Sequence, residues 1–385
     1  MVEALLEKQK QEAINLVQTL PLPSFIYGQG MGANVSEIDF NTFFDTIGDN
    51  SIICNEQSKI TAPVCVIVKN LSDMDKEFIK KYSQNLVSPK ENKILASLFT
   101  SPQNTQVIIV PSNTKFGVPI NITLHGTEKI VNQNIIIVVE SGAHATIIEE
   151  ATSTVDNLYQ NQTIQLYVHE NAVVTYNTIQ NCGLQTYRFT SKRASVKKDA
   201  CVRFVDALSG AKYNQLLIQT NLEGERANAQ MFTVYYGTKD QLFDIDTQTY
   251  HLCSNTSGSM NAKGALHDAS RILYRGNIYV QKGAKESVSH QKMNALLLSQ
   301  NARCDAVPIL DVNNDIVTCS HGAAIGQVDK NELFYLQSRG LSKKRSEQII
   351  VEGMLNPFIE KISDIHAQEK VKNIFIQKMQ GVGLE

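Results

Sequence analysis

The sequence predicts a mainly β protein: a β-helix (β-solenoid) core with N-terminal and C-terminal helical domains. Three observations carry this. From about Val107 short β-rich runs punctuated by small turns persist for more than two hundred residues, and Ile164, Leu166 and Val168 alternate with Gln165, Tyr167 and His169 as a half-buried strand requires. A polar turn ending in alanine recurs as Glu140-Ser-Gly-Ala143, Glu170-Asn-Ala172, Lys198-Asp-Ala200 and Glu225-Arg-Ala227, with alanine spacings of 29, 28 and 27. Helical periodicity is confined to the two ends. A near-constant period built from strands and turns suits stacked coils, each burying its inner face only against its neighbours. Evenly spaced hairpins of a β-sandwich give a similar rhythm and stand as the alternative.

Residues 1–100 read as a mixed helical cap. Val2, Leu6, Ala13, Val17 and Leu20 recur at helical spacing until Pro21 and Pro23 stop the pattern. Val and Ile between Ile52 and Lys69 suggest short strands. After Ser72, the acids Asp73, Asp75 and Glu77 suit the positive end of a helix dipole, which predicts a helix to about Leu86. Residues 101–326 form the β-helix core, where later turns at Lys282-Gly-Ala284 and Gln300-Asn-Ala302 keep the style without the spacing.

A solenoid exposes strand edges at its ends and needs caps. After Gly326 the pattern turns helical, so residues 327–385 are assigned to a C-terminal helical domain. Asp329 can cap a helix carrying Glu332, Leu333, Tyr335 and Leu336, and Gly340 ends it. Ser342 caps the next, with Ile349, Ile350 and Met354 before Pro357; Val371, Ile374, Phe375 and Ile376 mark a last amphipathic stretch.

The 385 residues suffice for two or three units of roughly 150 residues. With 36 Lys plus Arg against 38 Asp plus Glu, the net charge of −2 excludes a broad basic surface and with it non-specific nucleic-acid binding. No apolar run reaches membrane-spanning length. Glu3, Glu7, Lys8, Lys10 and Glu12 are wrong for the apolar centre of a signal peptide, so a cytoplasmic protein is expected. Seven cysteines (54, 65, 182, 201, 253, 304 and 319) include no C-x-x-C, which argues against a self-contained zinc or iron-sulfur site.

Four motifs invite chemistry. Gly28-Gln-Gly30-Met-Gly32 lacks the strand-to-helix context of a nucleotide loop, and no P-loop occurs anywhere, so the chain does not hydrolyse ATP by a P-loop of its own. Asp244 and Asp246 lie two apart, which on a strand puts both carboxylates on one face at roughly 7 Å, the spacing of an inverting glycosidase pair. A carbohydrate-active β-solenoid enzyme is therefore one alternative, weakened by the absence of tryptophan; a solvated strand face is the simpler reading. Finally, Arg303-Cys304-Asp305 precedes Thr318-Cys319-Ser320-His321-Gly322. Cys319 and His321 project to one side of a strand, where an imidazole can lower a thiol's pKa or share a soft metal with it, and Cys304 is near enough for an adjacent strand.

The run from Tyr274 to Gly353 resembles the SufB/SufD family of iron-sulfur cluster assembly scaffolds. The matching pieces are Tyr274-Arg-Gly-Asn-Ile-Tyr-Val280, Gln291-Lys-Met-Asn-Ala-Leu-Leu-Leu-Ser299, Pro308-Ile-Leu-Asp-Val312, Cys319-Ser-His-Gly-Ala-Ala-Ile-Gly326 and Leu333-Phe-Tyr-Leu-Gln-Ser-Arg-Gly340. The C-S-H-G form is similar to the SufD branch, whereas Arg303-Cys304-Asp305 resembles the segment that holds the sulfur-accepting cysteine of SufB. The resemblance implies a cytoplasmic scaffold without its own ATPase site, pairing with a SufB-type sister subunit and docking a SufC-type ABC ATPase. That docking would use the C-terminal helices, where Leu333, Phe334, Tyr335, Arg339 and Gly340 match. It further implies a transient iron-sulfur cluster at Cys319 and His321 against the sister subunit, sulfur reaching the complex indirectly from a cysteine desulfurase system, and Cys304 as the sulfur acceptor if the role is SufB-type. It leaves FAD open at the level of the complex, and implies neither nucleic acid nor membrane as a partner.

Overall fold

The computed structural model describes residues 2–27, 31–32, 35, 38–45, 59–102, 105–155 and 158–381. Gly28 and Gly30 of the glycine-rich stretch, and Cys54, lie outside the described residues. The chain opens with α1 (Val2–Thr19), the short pair β1 (Ile26–Tyr27) and β2 (Met31–Gly32), and α2 (Phe40–Asp45). Next come β3 (Lys59–Thr61), β4 (Ile67–Asn70), a 3-10 turn at Leu71–Asp73, α3 (Lys76–Tyr82) and α4 (Lys93–Leu98). Strands then alternate between two sheets: β5 (Gln106–Val110), β6 (Ile120–Gly126), β7 (Ile130–Val139), β8 (His144–Ser153), β9 (Leu158–Val168), β10 (Val173–Asn181), β11 (Thr186–Val196) and β12 (Cys201–Leu208). They continue as β13 (Tyr213–Leu222), β14 (Asn228–Gly237), β15 (Leu242–His251), β16 (Ser257–Leu266), β17 (Arg271–Val280), β18 (Ser287–Leu297), β19 (Arg303–Val312) and β20 (Val317–Gln327). Helices α5 (Lys330–Ser338), α6 (Lys343–Ile359) and α7 (Ile365–Gln380) follow.

From β5 onward odd-numbered strands form one sheet and even-numbered strands the other, and all these neighbours pair in parallel. Parallel neighbours cannot be joined by hairpins, so the stacked-coil reading holds and the sandwich falls away. In these two sheets, among the described residues, the added strands β3 and β4 pair antiparallel, on β6 and β5, as does the separate pair β1 and β2.

The alanine turns explain the period. Ala143, Ala172, Ala200 and Ala227 are at most 1% exposed and belong to the core that runs inside the coils. Each follows a residue with positive φ: Gly142 (70°), Asn171 (58°), Asp199 (57°) and Arg226 (59°). Glycine and asparagine tolerate that corner. Where a bulkier residue takes it, Arg226 clasps Asp199 of the coil below with bonds of 2.6 and 2.9 Å. Inside, register builds ladders such as Val139, Val168, Val196, Leu222, His251 and Val280.

The half-buried strand expected around Ile164 is instead buried on both faces along all of β9. Its outer face lies under the N-terminal segment: Tyr159 stacks on Phe43 at 5.1 Å, Tyr167 meets Tyr82 at 4.7 Å, and Asn161 donates to the Ile94 carbonyl at 2.9 Å. The same contacts end α3 at Tyr82 rather than near Leu86. Tyr167 Oη and Gln165 Nε2 donate to the carbonyls of Tyr82 and Ser83, which a longer helix needs for its own amides.

On the other sheet, α6 and α7 lay Val351, Leu355, Ile359, Val371 and Phe375 on Val205, Ala207, Val234 and Ala265. Helix α6 runs through Pro357 to Ile359, although the proline gives up the bond to the Gly353 carbonyl. Lys378 of α7 is buried and donates to the carbonyls of Ser209 and Tyr236 and to Gln241 Oε1, which ties this cap to the solenoid turns. Among the described residues no helix is long and apolar enough to cross a membrane.

Candidate functional site

Among the described residues the two sheets end on β19 and β20, each bonded to a neighbour on one edge only. Their outer edges present unpaired backbone groups over ten and eleven residues. Ile309 and Ile325 on these strands are 41% and 44% exposed. This open end is where the sequence places its reactive side chains.

Cys319 points inward, half-buried against the core, and burial pushes its thiol pKa up. His321, two residues on, has the same parity and is exposed because no further coil covers it. Their register partners on β18 are Ser289 and Gln291, thirty residues earlier, both buried. Nothing in the chain's local pattern singled out this buried polar pair; the signal is its repeat offset from Cys319 and His321.

Cys304 is not brought to them. It also faces inward, with Sγ 3.9 Å from Met293 Sδ, but the chain reverses between β19 and β20. Cys304 lies near the start of β19 and Cys319 near the start of β20, so the two stand about six residues apart along the coil, roughly 20 Å at strand rise. Burial, with Asp305 adding to it, pushes the Cys304 thiol up to about 12, so it carries almost no thiolate near neutrality. The Asp305 carboxylate is itself held by Arg303 at 2.9 Å and Arg271 at 3.2 Å. Among the described residues no group of three or more His, Cys, Asp or Glu side chains gathers to hold a metal.

Asp244 and Asp246 do share the outer face of β15, but Asp244 is sealed from solvent and Asp246 is only partly exposed. Asp244 is fully buried, accepts from Arg275 at 2.6 Å and from Tyr213 at 3.1 Å, and burial pushes its carboxyl up. Asp246 accepts from Asn277 at 2.7 Å and Gln248 at 3.0 Å. Both carboxylates bind side chains of their own sheet, on β13, β15 and β17, and Asp244 is closed off from solvent.

Past the open end, α5 buries none of its residues. Phe334 and Tyr335 are 72% and 57% exposed, Leu333 is half-buried, and the Arg339 guanidinium lies 5.3 Å from the Tyr335 ring centroid. Asp329 caps the helix through the Asn331 amide at 2.7 Å, and Gly340 closes it at φ 87°.

Comparison with known proteins bears on this arrangement. Residues 122–354, more than half of the chain, match the family model of the SUF system FeS cluster assembly SufBD core domain. An iron-sulfur cluster assembly SufBD family protein of Staphylococcus saprophyticus is 26% identical over 313 residues, covering 80% of this chain and 67% of the relative. One from Staphylococcus aureus is 27% identical over the same shares. One from Mycobacterium leprae is 30% identical over 276 residues, 69% of this chain and 32% of the relative. With the stacked coils, the helices at both ends and this match across the solenoid, the chain belongs to the SufBD family of the SUF iron-sulfur cluster assembly system.

Proposed function

We propose that the chain is a SufD-like scaffold, which pairs through its open solenoid end with a SufB-type subunit, docks a SufC-type ATPase through α5, and helps hold a nascent cluster at Cys319 and His321. The observation that carries this reading is the open end itself: two long edge strands, exposed Ile309 and Ile325, and on the last strand an exposed imidazole two residues from a half-buried thiol. The chemistry suits transfer rather than storage. Iron and sulfide must be held by soft or borderline ligands weakly enough to leave, and a ligand set split between two subunits gives such a labile site. Movement of the docked ATPase can then change the separation of the two halves. The raised pKa of Cys304 favours this role over a sulfur-accepting one, since persulfide transfer needs a thiolate.

Co-purification tests the pairing. Co-expressed with SufB-type and SufC-type chains, this protein should elute in one complex with both. Ile309→Lys with Ile325→Lys should release the SufB-type subunit, because a charge on a buried edge contact disfavours association, while ATPase binding persists. Retention of the sister subunit by that variant would place the interface elsewhere.

A further inference from the structure

Beneath Cys319 and His321, the preceding coil places Ser289 and Gln291 in register. Neighbouring strands lie about 4.8 Å apart, so each pair stacks side chain on side chain within the solenoid. Ser289 is 0% and Gln291 5% exposed. Ser289 Oγ and Gln291 Oε1 are both enclosed and without a hydrogen-bond partner. Enclosed polar atoms of this kind are costly and call for an explanation.

The fold also makes room for the Gln291 amide. Across the lumen stands Gly276, where a methyl group would lie 2.0 Å from Gln291 Nε2 and 2.7 Å from Oε1. Alanine there is excluded unless the amide moves. An aliphatic side chain at 291 would have filled this space without orphaning an oxygen.

A neutral imidazole that ligates a metal through one ring nitrogen presents an N–H on the other, and an acceptor for that proton orients the ring. A metal-bound thiolate is stabilised by a hydroxyl donor. We propose that Gln291 and Ser289 are the positioning residues of the site: Gln291 Oε1 accepts the N–H of the non-ligating His321 nitrogen, and Ser289 Oγ–H donates to Cys319 Sγ, when divalent iron or a nascent cluster is held. This rests on the assignment of Cys319 and His321 made above, and it gives the buried pair a function that packing does not.

Cobalt(II) titration of the full-length chain in complex with its sister subunit tests it, with affinity read by chelator competition and the thiolate bond by its charge-transfer absorption. Gln291→Leu keeps the volume and removes the acceptor, and should weaken cobalt binding by about 10- to 100-fold. Gln291→Glu keeps an acceptor and should recover most of that loss. Ser289→Ala should move the charge-transfer band to lower energy. Unchanged affinity in Gln291→Leu together with an unmoved band in Ser289→Ala overturns the proposal, as does a loss in Gln291→Leu that Gln291→Glu fails to recover. His321→Ala separates the two levels: if it binds cobalt as the parent does, the site assignment itself fails; if it loses binding while Gln291→Leu does not, only the positioning roles fail.

Discussion

Lys192→Met should destabilise the solenoid by about 3–5 kcal/mol, the cost of stranding a buried carboxylate. Lys192 occupies a ladder position that is isoleucine on either side, Ile164 below and Ile218 above. It is fully buried, pairs with Asp206 at 2.5 Å, bonds Thr178 Oγ1 and lies 4.7 Å from the Tyr176 ring centroid. Burial already pushes the Asp206 carboxyl up, and Lys192 is the charge that opposes this. Without the ammonium, Asp206 must either stay charged in the closed lumen, beside the Glu149 carboxylate, or take up a proton. Urea unfolding gives the readout as a lower midpoint. A stacked-coil protein can unfold in stages, so midpoint and slope should be compared together. Lys192→Met with Asp206→Leu should regain most of the loss, since a well-packed apolar pair substitutes for a buried ion pair at little cost. A single variant within about 1 kcal/mol of the parent shows that the pair does not anchor the lumen.

Phe334→Ser with Tyr335→Ser should lower affinity for the SufC-type ATPase by about 100-fold or more, with the fold intact. Exposed aromatics are the side chains that most often dominate an interface, at about 2 kcal/mol or more each. Because α5 buries no residue of its own, these substitutions remove no core contact. Titration calorimetry reads the loss, and an unchanged thermal melt excludes unfolding. Full affinity in the double variant assigns ATPase docking to other residues.

What the amino-acid order revealed, and what it hid, follows from distance along the chain. The coil period was legible because four successive turns repeat one local device, a left-handed corner followed by a buried alanine. Cys319 and His321 were legible as a pair because strand parity alone puts them on one side. The double burial of β9 was not, since its cover comes from Phe43, Tyr82 and Ile94, some 70 to 120 residues earlier. Asp244 and Asp246 look solvated until Arg275, one coil later, is laid beside them. Cys304 seemed close to Cys319 by count, but a strand reversal sends near sequence neighbours to opposite ends of a coil. The polar layer of Ser289 and Gln291 becomes visible only when register shows which side chains lie beneath the last coil.

Cluster assembly in the reconstituted complex tests the site at the open end most directly. His321→Ala should leave the subunit stoichiometry unchanged while the iron and acid-labile sulfide recovered, and the visible absorption of the cluster, fall to a small fraction of the parent's. A His321→Ala complex that accumulates iron and sulfide at the parent's level contradicts a cluster site at the open end of the solenoid.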